Sequence, residues 1–130
     1  MTILYEVQEA VYKRLENDSS LNEKIKGVFD YVPEETDFPY VILGRIYSVP
    51  EKTKTTIGER VEITIDIWST YKGKKETIDI IKLVESALKE ELEVGGLFVI
   101  DQKVKSREVL EEINELYHGT LTYEILIDME

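Results

Sequence analysis

The chain has 130 residues, 27 acidic and 16 basic, for a formal charge of −11, with no cysteine and one histidine. At this length one domain (residues 1–130) burying about two thirds of its unfolded surface is expected, and 42% hydrophobic with 33% charged residues is a globular composition. Without cysteine, disulfide frameworks, thiolate zinc sites, iron–sulfur clusters and cysteine nucleophiles are excluded, and the acidic balance argues against direct, specific binding of nucleic acid, which needs clustered Lys and Arg.

Leu4, Val7, Val11 and Leu15 form one stripe of a helix over residues 2–16, with Thr2 as N-cap and Asn17-Asp18-Ser19-Ser20 as its end. This opening lacks a basic region followed by an uninterrupted apolar stretch, and no apolar run of about 18 residues occurs anywhere, so neither a signal peptide nor a membrane span is expected. A short strand is predicted at 27–32. After the loop 33–39 comes a second strand, 40–49, rich in β-branched and aromatic residues and stopped by Pro50. Glu51, Lys52, Thr53, Lys54, Thr55, Thr56, Ile57 and Gly58 are polar and turn-forming, and a long mobile loop is expected there.

The cleanest alternation follows, with Val61, Ile63, Ile65 and Ile67 on one face and Glu62, Thr64, Asp66 and Trp68 on the other: a half-buried strand. A second helix is predicted over 75–91 with Ile80, Ile81, Val84, Ala87, Leu88 and Leu92 inward, stopped by Gly95-Gly96. Strands at 97–107 and 117–129 complete the chain, separated by a loop or helical turn over 108–115. The predicted fold is α+β, a mostly antiparallel sheet of four to five strands packed with two α-helices in the order α-β-β-β-α-β-β.

Little in this pattern suggests catalysis. His118 stands on the strand face opposite Leu121 and Tyr123, which suggests solvent or a partner, and no Gly-x-Ser-x-Gly elbow supplies it with a nucleophile. Glu34, Glu35 and Asp37, and likewise Glu111, Glu112 and Glu115, match no EF-hand spacing and read as solvated loops. Gly73-Lys74-Lys75 lacks the earlier glycine and the following Ser or Thr of a phosphate loop. No cofactor or metal is therefore expected. Trp68, pointing away from the isoleucine stripe, is either covered by a helix or available to another subunit, and eight tyrosines add contact area of the kind enriched at interfaces.

The ordered pieces resemble a known family. Leu4-Tyr5 with Val11-Tyr12 and Leu15, then Leu21, Gly27-Val28-Phe29-Asp30-Tyr31-Val32-Pro33 and Phe38-Pro39-Tyr40-Val41-Ile42-Leu43-Gly44 are similar to the small tail-completion proteins of tailed bacteriophages and prophages. So are the stretch from Val61 to Ser69, the helix end Val84-Glu85-Ser86-Ala87-Leu88 and the strand from His118 to Ile125. What the resemblance implies is a non-enzymatic tail terminator, made in the bacterial host cytoplasm and ending in the virion. Its expected form is a ring, commonly of six copies, that caps the tail tube and meets the head connector. On that view its partners are further copies of itself, the tube protein and the connector protein. The mobile loop from Glu51 to Gly58, with Trp68 and His118, is then the expected contact surface, and an acidic lumen would repel passing DNA. The alternatives are another head-closure or minor tail component, a small ligand- or peptide-binding module, or an enzyme using paired carboxylates.

Overall fold

The computed structural model describes residues 2–130. Its elements are α1 (Leu4–Glu16), α2 (Ser19–Asn22), β1 (Val28–Phe29), β2 (Tyr40–Lys52), β3 (Ile57–Ser69), α3 (Lys75–Ala87), β4 (Val99–Glu111) and β5 (Tyr117–Asp128). The strands form one sheet in the order β1-β2-β3-β5-β4, antiparallel except where β1 pairs in parallel with Val41 and Ile42 of β2. The α+β class and the five strands agree with the sequence pattern, with one helix more than predicted.

The core lies where the two periodicities meet. Val7, Val11 and Leu15 of α1 and Ile80, Ile81 and Val84 of α3 pack against Val61, Ile63, Ile65 and Ile67 of β3 and Leu121, Tyr123, Ile125 and Ile127 of β5. Each fully buried aliphatic side chain contributes roughly 1.5–3 kcal/mol relative to exposure, so this layer is the main reason the helices stay on the sheet. At Gly119 of β5, an added Cβ would lie 2.7 Å from Thr77 Cγ2 of α3. A residue without a side chain is what permits so close an approach of helix to strand.

Several boundaries differ from the sequence expectation, some for local and some for tertiary reasons. Ile3, not Thr2, occupies the N-cap position of α1 and makes no side-chain cap. Thr2 Oγ1 still accepts from Leu4 N–H at 3.2 Å, while buried Glu59 accepts from the Thr2 hydroxyl at 2.7 Å and from Ile3 N–H at 3.3 Å. The Asp18-Ser19-Ser20 stretch, expected only to end α1, starts α2, because Asp18 Oδ1 accepts from Leu21 N–H at 2.9 Å.

Pro50 does not stop β2. It pairs opposite Glu59, on the part of β2 that β1 leaves uncovered, where a missing N–H costs no ladder bond. Helix α3 ends at Ala87 rather than at Glu91, because its last carbonyls find partners elsewhere. Arg14 donates to Ala87, Glu90 and Glu91 carbonyls at 3.2, 2.9 and 3.0 Å, and Gln102 Nε2 donates to those of Leu88 and Glu90 at 3.0 and 2.8 Å. Gly95 and Gly96, at φ +54° and +75°, turn the chain between Val94 and Leu97 instead of stopping the helix.

Candidate functional site

The helices cover one face of the sheet and leave the other to polar side chains, which fall into two clusters at opposite ends of β3. At one end is the β2–β3 connection. The long mobile loop expected from Glu51 to Gly58 is instead a closed hairpin: Glu51 pairs with Gly58 and Lys52 with Ile57, so that only Thr53, Lys54, Thr55 and Thr56 lie off the ladder. The turn is closed by Thr53 N–H donating to Thr56 O at 2.8 Å and Thr56 N–H donating to Thr53 Oγ1 at 2.9 Å. Met129 N–H donates to Ile57 O at 2.8 Å and ties the hairpin to the chain end.

Charge runs across the face beneath this hairpin. Arg60 pairs with Glu51 at 2.7 Å and with the nearly buried Glu124, and its guanidinium is held more firmly protonated by the Glu51 and then the Glu124 hydrogen bonds. Lys105 donates to Glu62 at 2.7 Å and Tyr47 Oη donates to the same carboxylate at 2.8 Å. Those bonds, led by Lys105, hold the Glu62 carboxyl below its usual range, while Lys105 is held above its own chiefly by Glu62.

The second cluster contains the other two residues singled out from the sequence. Trp68 and His118 sit directly opposite one another in the β3–β5 ladder, and their rings stack at 3.9 Å with planes 9° apart. No helix covers Trp68, whose open face is partly filled by this imidazole. His118 Nε2 lies 2.7 Å from Asp66 Oδ1 and Nδ1 lies 3.3 Å from Glu112, so each ring nitrogen faces a carboxylate. The Thr120 hydroxyl is 3.0 Å from Asp66 and 3.3 Å from His118 Nε2. Its best acceptor is the carboxylate, so the imidazole is placed to anchor side chains rather than to activate the hydroxyl.

The ten sequence candidates therefore do not form one site. Gly58 and Trp68 stand on one strand about 33 Å apart, at about 3.3 Å per residue.

Two further surface features stand out, one around an acidic trio that the sequence presents as a solvated loop and one that the sequence does not single out. One is the β4–β5 hairpin tip. Strand β4 runs to Glu111, past the predicted end at 107, and the turn is closed by Glu112 N–H donating to Leu116 O at 2.7 Å. Ile113 at this tip is 79% exposed, between Glu111, Glu112 and Glu115, and Asn114 and Glu115 take the left-handed φ values of 61° and 60°. The other feature is a groove of about 630 Å³ between α3 and β4, with Ile78, Val104 and Tyr123 as its apolar floor. Arg107 bridges one wall to Glu85 of α3 with bonds of 2.5 and 2.9 Å, and this holds the Glu85 carboxyl low. The signal in the sequence was Lys82 on α3 and Lys89 just past its end, which only the fold brings beside Val104 of a later strand.

Among the described residues no group of three or more His, Asp or Glu side chains is arranged to hold a metal ion, and neither acidic trio converges. No helix among the described residues is long and apolar enough to cross a membrane.

Comparison with known proteins gives consistent results. Residues 9–128 match a family model described as tail completion protein gp17. Tail completion protein gp17 of Bacillus phage SPP1 is 24% identical over 123 residues, covering 94% of this chain and 92% of that protein. The solved structure of that phage protein superposes with a TM-score of 0.67 at 23% identity, over 97% of this chain and 90% of its own. A chain from the virion of a native gene transfer agent particle superposes more closely, at a TM-score of 0.85 and 20% identity, over 94% of both chains.

Proposed function

This chain belongs to the tail completion protein gp17 family and is thereby a structural part of a phage tail, and we propose that it works as a ring, of six copies, that closes the tail tube and joins tail to head. The observation that carries the reading is a family match running through nearly the whole chain, from residue 9 to residue 128, with every secondary-structure element except the first turn of α1 inside it. In this reading the protein is made in the host cytoplasm, ends at the head–tail junction of the virion and performs no chemistry. Its partners are further copies of itself, the tube protein and the head-connector protein. The clusters at opposite ends of β3 suit a joining part, since one end can face the tube while the other faces a neighbour.

A rigid hairpin changes how the Glu51–Gly58 segment would act. A loop that orders on binding gives up affinity to ordering entropy, whereas a hairpin already closed by Thr53 and Thr56 presents Lys52 and Lys54 without that cost. Replacing Thr53–Thr56 by a two-residue Asn-Gly turn shortens the tip and keeps the ladder in register. The far-ultraviolet spectrum should be unchanged while purified tails no longer join to heads. Electron microscopy of capped tails would count the subunits; normal joining by the shortened protein would defeat the proposal.

A further inference from the structure

Two surface features have complementary character. The α3–β4 groove is apolar at its floor, where Ile78 is 39% exposed. Lys82 and Lys89 stand beside it, neither with an ion-pair partner among the described residues. In a chain with 16 basic against 27 acidic residues, two unpaired cations beside an apolar floor favour an occupant that is acidic and carries one apolar anchor. The β4–β5 tip has that form. Ile113 projects from a collar of Glu111, Glu112 and Glu115, and the turn is held by the Glu112–Leu116 backbone bond and by the Glu112 carboxylate on His118 Nδ1 at 3.3 Å. Left-handed backbone at Asn114 and at Glu115, a residue poorly suited to it, shows that the surroundings impose this shape.

We propose that the tip of one copy docks in the groove of a second copy of this chain, with Ile113 on the apolar floor and the glutamates against the lysines. No chain can fill its own groove, because Val104 in the groove and Glu111 at the tip are held about 23 Å apart along β4. Strand addition is a poorer use of this edge. Register shifts at Val99/Asp101 and Val104/Ser106, with cations at Lys103, Lys105 and Arg107, blunt it against backbone pairing and leave side-chain docking. Tip and groove are different patches, so a copy that offers its tip to one neighbour and its groove to another makes a heterologous contact, the kind from which rings close. The inference deepens the ring reading and rests on it.

The absence of cysteine makes the test clean. Glu111→Cys at the tip and Ser86→Cys on the groove wall are made in separate full-length chains, mixed at millimolar concentration and oxidised. The mixed disulfide should exceed both like-with-like products. Adding Ile113→Asp to the tip chain, or Lys82→Glu with Lys89→Glu to the groove chain, should lower it roughly five- to tenfold. The lysine reversal should be repaired in part by Glu115→Lys on the tip chain, a change that leaves the Glu112–His118 contact in place. A single chain carrying both cysteines should give ladders longer than dimers. A statistical mixture of disulfides, indifference to these changes, or a ladder that stops at two would overturn the proposal. Failure of tail joining is scored separately: cross-linking without any joining defect on shortening the β2–β3 tip refutes the functional reading and leaves this contact standing.

Discussion

Gly119 gives the most direct test of how α3 is seated on the sheet. The Cβ that Gly119→Ala adds would lie 2.7 Å from Thr77 Cγ2 and 3.1 Å from Ile81 Cδ1. The isoleucine methyl is the far end of a flexible side chain and can give way. Thr77 is fully buried and β-branched on a helix, which leaves it two χ1 rotamers, so relief requires exchanging its methyl and hydroxyl positions or moving α3. Overpacking of this kind costs about 1–3 kcal/mol, less roughly 0.5 kcal/mol because alanine suits extended backbone better than glycine does. The expected net loss is about 0.5–2.5 kcal/mol, a sizeable share of the 5–15 kcal/mol typical of a domain. Thr77 also supplies the control. Its hydroxyl is buried with no hydrogen-bond partner among the described residues, so Thr77→Ala loses a methyl contact but removes an unsatisfied polar atom and should be nearly neutral. In the double variant the clash partner is gone, and at least about 1 kcal/mol should return as a coupling energy. Urea titrations of the four proteins by circular dichroism give the cycle, and equal slopes are required for the comparison. A neutral Gly119→Ala, or a Thr77→Ala change that fails to relieve it, would refute the packing argument.

Two further outcomes follow from the surface. The Glu62 and Glu85 carboxyls are held low in the folded protein by hydrogen bonds from Lys105 and Arg107, so their contribution is complete above the unfolded carboxylate pKa of about 4.3 and is lost as pH falls through the lower folded values. Unfolding midpoints should drop below about pH 5, and Glu62→Gln should make that decline shallower; an unchanged pH profile would contradict the Lys105 and Tyr47 bonds. At the β4–β5 tip, Glu115 at φ +60° should accept glycine readily, so Glu115→Gly should stabilise by about 1 kcal/mol and raise the melting temperature by roughly 2–5 °C, as read by calorimetry.

What the sequence revealed, and what it hid, divide along the range of the interactions. The alternation of Val61, Ile63, Ile65 and Ile67 was legible because one face of β3 is dry and the other polar, and the stripe Val7, Val11, Leu15 was legible for the corresponding helical reason. Termination was not local. The end of α3 is set by Arg14, 73 residues upstream of the Ala87 carbonyl it holds, and by Gln102. Periodicity alone would carry that helix on to Leu92. The polar run from Glu51 to Gly58 looked like coil because a solvated edge hairpin has no hydrophobic face to betray it. Its pairing is fixed by the register of β2 against β3, which the apolar half of those strands determines.

The same distinction governs the surface. Trp68 and His118 were each recognisable as side chains facing away from the core, but their stacking depends on the β3–β5 register, which brings together residues 50 apart in number. The groove between α3 and β4 needs the helix seated and the strand order known, and neither Lys82 nor Lys89 is unusual in its own segment. The acidic trio at Glu111, Glu112 and Glu115 was read as a solvated loop, which it remains in the isolated chain. The isoleucine among them is what makes solvation incomplete as a description, since a β-branched apolar residue at the point of a charged turn adds nothing to solubility and is held outward by left-handed backbone on its C-terminal side. For a protein that works between larger parts, the informative residues are then those whose local setting contradicts their chemistry: Ile113 in water, Trp68 on a polar face, and Lys82 and Lys89 without ion-pair partners in a chain that has a surplus of carboxylates.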